Sequence, residues 1–160
     1  NWFVYVDSLG KSKRLKLNAS LAADSWSSND GWNTPTGITP SVFTFAYSGT
    51  SYPFIAYCFT SISGYSKVGT YTGTGGALTV TTGFQPGFVM IKRTDSTGQW
   101  VMLDEKRGSG DNRLYADSNS VEHTGQGELL ISTGFKPRQS ATNDTNTAGG
   151  TYTYLAIKEN

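Results

Sequence analysis

Short runs in which apolar and polar residues alternate recur along the chain, each bounded by clusters of Gly, Asn, Asp or Ser. None of them extends into the spacing of a long amphipathic helix. Between residues 64 and 160 the alternation predicts strands over 66–72, 78–82, 87–92, 99–104, 112–115, 128–133, 138–141 and 151–158. In the last of these, Tyr152, Tyr154 and Ala156 share one face, and Thr153, Leu155 and Ile157 share the other. In the strand at 87–92, Phe88, Met90 and Lys92 alternate with Val89, Ile91 and Arg93, which predicts burial on both faces at one end and solvent at the other. The stretch Asp95 to Gly98 joins two apolar strands and predicts a hairpin, with Gly98 in the left-handed conformation. The fold class predicted is all-β: an antiparallel β-sandwich or jelly roll with a partial second repeat at the amino end. Smaller β modules stacked along a fibre axis are the alternative.

The repeat is visible directly. Trp2 to Asp7 resembles Trp100 to Glu105, Arg14-Leu15 followed by Asn18 resembles Arg113-Leu114 followed by Asp117, and Tyr52 and Ala56 match Tyr152 and Ala156. The offset drifts from 98 through 99 to 100, as two loops that each differ by one residue would produce. Residues 65–99 have no counterpart ahead of Trp2. The reading is therefore a partial β repeat over 1–62, the second half of an upstream unit, and a complete sandwich over 63–160. It implies a carboxy-terminal piece of a longer polypeptide, or a neighbouring subunit that supplies the remainder. A shorter echo, Thr82-Gly-Phe-Gln-Pro86 against Thr133-Gly-Phe-Lys-Pro137, reads as a strand-to-corner device: Gly for a positive φ, an inward aromatic, and a Pro that ends pairing.

Composition adds limits to this picture. Aromatic residues make up 13% of the chain and charged residues 16%, a balance suited to many strands joined by turns. The net charge of +1 leaves no field to steer a polyanion, so no nucleic acid partner is expected. The basic run Lys11 to Lys16 reads as a turn leading into a half-exposed strand. Cys58 is the single cysteine and lies in an apolar run, which excludes an intrachain disulfide and predicts a small buried hydrophobe. No apolar stretch approaches the roughly 20 residues that span a bilayer, and the amino end lacks the pattern of a signal peptide.

Candidate chemistry is sparse. Asp104 and Glu105 are sequence neighbours, so on a strand they point to opposite faces and cannot form the facing carboxylate pair of a glycosidase. His123, the single histidine, lies in a polar loop with no evident ligands or orienting group. Asp111, Asp117, Asn143 and Asp144 supply oxygen donors that suit calcium, but their spacing fits no calcium loop. No catalytic residue, metal site or cofactor is expected. Trp26, Trp32, Tyr47 and Tyr65 lie among Ser, Asn and Gly, and are the candidates to stack on a sugar or on a partner subunit; the alternative is that they plug into the core from loops.

Several of these segments together, from Tyr57-Cys-Phe59 through Gly64 to Gly73, Val89 to Asp95, Trp100 to Arg107 and Arg113 to Asp117 to Gly149-Gly-Thr-Tyr-Thr-Tyr154, resemble the concanavalin A-like or laminin-G-like jelly-roll repeats near the carboxy end of structural proteins of marine tailed phages. The resemblance implies a virion component with no enzymatic motif, a tail fibre or surface appendage module that touches host surface glycan and is found on the virion or, after release, outside the cell. A capsid decoration or fibre-shaft module without a ligand is one alternative, and a remnant of a carbohydrate-active enzyme is another. The implied partners are other copies of the chain in a homo-oligomer, or other virion proteins. The cut-open first unit also predicts oligomerisation, because a half-sandwich exposes apolar faces and unpaired edges.

Overall fold

The computed structural model describes residues 1–159 apart from 29, 35–36, 40, 47–52, 109–110, 126 and 140–143. The architecture is all-β and antiparallel, a sandwich with a third sheet laid on it. Helix among the described residues is confined to two single turns of 3-10 helix, Asp7–Leu9 and Glu105–Arg107. The strands are β1 (Phe3–Val4), β2 (Lys13–Lys16), β3 (Asp24–Ser25), β4 (Ser66–Thr72), β5 (Val80–Thr81), β6 (Pro86–Arg93), β7 (Val101–Asp104), β8 (Arg113–Tyr115), β9 (Leu129–Ile131), β10 (Gly134–Lys136) and β11 (Thr151–Lys158).

The central sheet has the order β4-β11-β6-β7-β8. Its longest members are the two strands with the clearest alternation, β6 and β11, which pair from Tyr152 opposite Arg93 to Ile157 opposite Phe88. Val89, Ile91, Val101, Leu103, Tyr152, Tyr154 and Ala156 from this sheet share a core with Val80, Phe135 and Leu130 of the second sheet, β5-β10-β9. Burying side chains of this size is the main stabilising term, of the order of 1.5–3 kcal/mol each. Gly69 on β4 leaves room for the ring of Tyr154, whose hydroxyl would lie 2.7 Å from any Cβ added there.

The third sheet, β1-β2-β3, covers the outer face of the central one. Val6, Leu15 and Trp100 form a second apolar cluster, joined by Val4, Leu17, Ala23, Met90 and Ala116. The Trp100 indole Nε1 donates to the Lys16 carbonyl at 2.8 Å, and the Ala23 and Gly98 amides donate to the Thr94 and Ser20 carbonyls across the same seam.

Two stretches, residues 2–18 and 100–117, share local geometry. Val4 lies opposite Leu15 in one unit, as Met102 lies opposite Leu114 in the other. Each pair of strands is joined through one turn of 3-10 helix followed by a positive-φ glycine, Gly10 or Gly108. The Trp2 amide donates to Asn18 Oδ1 at 3.1 Å, and the Trp100 amide to Asp117 Oδ1 at 3.0 Å.

Four expectations are corrected. Gly98 is not in the left-handed region, since β6 and β7 are joined by a longer loop anchored through its amide. Lys92 is buried rather than solvated, and its Nζ reaches the Ser20 carbonyl in the connection between β2 and β3. The segment expected to turn a corner at Gly134 is itself strand β10; a Cβ at Gly134 would run into the Val80 carbonyl oxygen, so glycine lets the strands close. Half of the strand predicted over 138–141 lies outside the described residues, and 138 and 139 are not in a strand.

Candidate interaction surface

The first unit has an aromatic core of its own. Alternation on β1 turns Val4 toward the central sheet, while Phe3 meets Trp26 with ring centroids 4.8 Å apart. Trp26 and Trp32 lie 5.8 Å apart, and both meet Phe45. The Arg14 guanidinium stacks over the Trp26 ring at 4.1 Å and holds Asp24 at 2.6 Å. Burial pushes the Asp24 carboxyl up, but hydrogen bonds from Arg14 and Lys16 outweigh it and hold the group below the usual carboxylate range. Gly31, with φ 58°, has the Trp26 ring packed where a side chain would sit.

Of the four aromatic candidates, Trp26 and Trp32 are therefore buried and offer no face for a ligand to stack on. Tyr47 lies outside the described residues. Tyr65 is 52% exposed, in a turn whose amide donates to the Ile62 carbonyl. The structure thus brings two of the four together, in the core of the first unit, and leaves Tyr65 apart.

The feature that sequence reasoning missed lies next to Tyr65. Phe54, Ile55, Tyr57 and Phe59 are 60%, 78%, 70% and 58% exposed. Ile62 is exposed too, so five large apolar side chains face solvent within nine residues. Cys58, expected in a core, is exposed among them. The cause is a lack of strand partners: among the described residues 54–61 join no ladder, and the segment's hydrogen bonds lie near its end. There the Ser61 hydroxyl bonds both the amide and the carbonyl of Val68, and Ser66 Oγ donates to the Thr60 carbonyl at 2.7 Å. The available signal was the match of Tyr52 and Ala56 to Tyr152 and Ala156, which makes this run the counterpart of β11, a strand that needs two partners.

The carboxylates weighed as calcium donors are engaged elsewhere. Asp111 accepts from the Gly127 amide at 2.7 Å, Asp117 from Trp100, and Asp144 from the Gln99 amide and, at 3.4 Å, from the Tyr115 hydroxyl. Asn143 lies outside the described residues. His123 pairs through its backbone with Arg113 and packs its ring 5.1 Å from Tyr115. Among the described residues, no group of three or more His, Cys, Asp or Glu is placed to hold a metal ion, and no helix is long and apolar enough to cross a membrane.

The chain belongs to a family described as Domain of unknown function (DUF7483), whose model matches residues 1–160. No curated protein and no solved structure matches it.

Proposed function

We propose that this chain is a structural module of a virion appendage, a tail fibre or a comparable surface structure, and that its work is packing against neighbouring modules rather than catalysis. The exposed apolar segment at residues 54–59 carries the reading, because a contiguous stretch of this kind marks a surface that is covered in the assembled state. The assignment to a virion rests on the resemblance of the repeat to phage structural proteins. Gold-labelled antibody raised against the chain is expected to decorate a tail appendage of intact particles in electron micrographs. Purified particles that lack the chain would overturn the proposal.

Contact with host glycan is the second reading, and Tyr65 favours it as an exposed aromatic in a polar turn. It takes second place because Trp26 and Trp32 are committed to the core. On a glycan array, this reading expects a signal that Tyr65→Ala abolishes while Trp26 and Trp32 stay in place.

A further inference from the structure

The exposed segment becomes specific once the two units are compared position by position. In the complete unit, β11 lies between β4 and β6, and β7 lies between β6 and β8. In the first unit the counterpart of β7 is β1, which is the outermost strand of its sheet, and the counterpart of β11 is residues 52–58, whose described part joins no ladder. The counterpart of β6 would separate these two, and no segment of residues 1–62 resembles it.

The side chains around that place are arranged as if to receive it. In the complete unit Tyr154 lies opposite Ile91, and Ile91 opposite Val101. The repeat makes Phe54 the counterpart of Tyr154, and Phe3 the counterpart of Val101. Both are turned toward a common neighbour, Phe45, at 5.1 Å from Phe54 and 6.4 Å from Phe3. In the complete unit the strands on either side of β6 are about 10 Å apart, the spacing of two strands that flank a third.

We infer that the place between β1 and residues 54–59 is an acceptor for one strand of the β6 type, Phe88-Val-Met-Ile-Lys-Arg93 in its pattern, contributed by the front half of a further repeat unit. The incoming counterpart of Ile91 lies between Phe54 and Phe3, and that of Val89 lies between Ala56 and Tyr5. The antiparallel ladder then runs through the segment as it does through β11. This deepens the packing role proposed above and rests on it: the neighbour is a repeat unit of the same kind, and the contact is a shared sheet rather than a flat apolar patch.

The test is a chain in which residues 64–98 are repeated ahead of Asn1, the counterpart of Gln99, so that a β6-type strand is available at its natural distance. Hydrogen exchange of the amides at 54–59 is expected to slow at least about tenfold relative to the parent chain. Ile91→Asp placed in the added copy alone is expected to return those amides to fast exchange while β11 stays protected. Unchanged exchange at 54–59 in a fusion whose β11 is protected would overturn the inference, as would slow exchange in the parent chain at concentrations where it sediments as a dimer, since a second whole copy would then be the occupant. If the fusion itself misfolds, a peptide of residues 84–95 added to the parent chain decides the matter: slowed exchange at 54–59 supports the inference and unchanged exchange overturns it. None of these outcomes depends on where the chain sits on a particle, so the inference and the virion assignment fail separately.

Discussion

Glu128 has no exposed surface, and its Oε2 is a buried oxygen with no hydrogen-bond partner among the described residues. Its other oxygen, Oε1, takes Arg113 Nη1 and Thr145 Oγ1, each at 3.1 Å. Burial pushes this carboxyl up, and the attraction of Arg113 does not cancel the effect. A buried pair of this kind adds little net stability, yet breaking one side strands a charge. Arg113→Met is therefore expected to cost about 3 kcal/mol in urea unfolding at pH 7, and Glu128→Gln about 1 kcal/mol, because Arg113 keeps Asp144 at 3.6 Å. Without Arg113 the carboxyl rises further, so part of that loss should be recovered as the pH is lowered and Glu128 takes up a proton. Lys92 gives a second residue-scale prediction of opposite sign. Burial pulls its ammonium down to about 8, against the raising effect of Asp117 and Asp144, while Nζ donates to the Arg93 and Ser20 carbonyls. Between that value and the ordinary 10.5 the unfolded chain binds more protons, so stability should rise with pH there. The gain is expected to be about 2 kcal/mol between pH 8 and pH 10, and to be absent in Lys92→Met. Above pH 10 three buried or half-buried tyrosines reverse the trend. Tyr71, Tyr115 and Tyr154 are all raised by burial, so the stability they contribute is lost as the pH climbs through their folded values.

At the scale of elements, the two units offer a matched experiment. Asn18 and Asp117 cap equivalent tryptophan amides, one at an exposed position and one partly buried. Replacing each with Ala should cost about 0.5 kcal/mol at Asn18 and about 1.5 kcal/mol at Asp117, because the Trp100 amide is left with less access to water. Equal costs, measured by denaturant unfolding, would contradict the assignment of their environments. The strands that the sequence made legible are those whose alternation is backed by large inward residues: β4 and β11 occur with the predicted limits, and β6 is one residue longer at each end. The weaker elements were harder to read because their limits are set by contacts distant in the chain. Strand β10 exists because Gly134 lets the backbone meet β5, and the Thr82 and Gly83 amides bond the Thr133 carbonyl, so the two echoing Thr-Gly-Phe motifs hold each other. The burial of Lys92 was likewise illegible, since the connection between β2 and β3 that reaches it, at Ser20, lies 72 residues upstream. Phe54 to Phe59 misled in the other direction: the composition of a core strand predicts burial, but burial requires partner strands, and a single sequence does not say whether they are present.

At the scale of the molecule, three sheets are stacked through two cores that share no buried residue. The inner core joins the central sheet to β5-β10-β9, and the outer one joins it to β1-β2-β3 through Trp100. Such a molecule should open in parts, the first unit leaving before the sandwich, because local stability follows the apolar contact that each layer shares. Trp100 is where the parts can be told apart, since its ring fills the outer core and its Nε1 bonds the Lys16 carbonyl. Trp100→Phe keeps most of the apolar contact, removes that hydrogen bond, and leaves the Lys16 carbonyl to find water. The expected loss is about 1 kcal/mol, confined to the opening of residues 2–25. Native-state hydrogen exchange should therefore show roughly fivefold faster exchange at Leu15 and Leu17, with β6 and β11 unchanged. If the amides of Ile91 and Tyr154 speed up equally, the molecule unfolds as one cooperative body, and the first unit is part of the sandwich rather than a layer docked upon it.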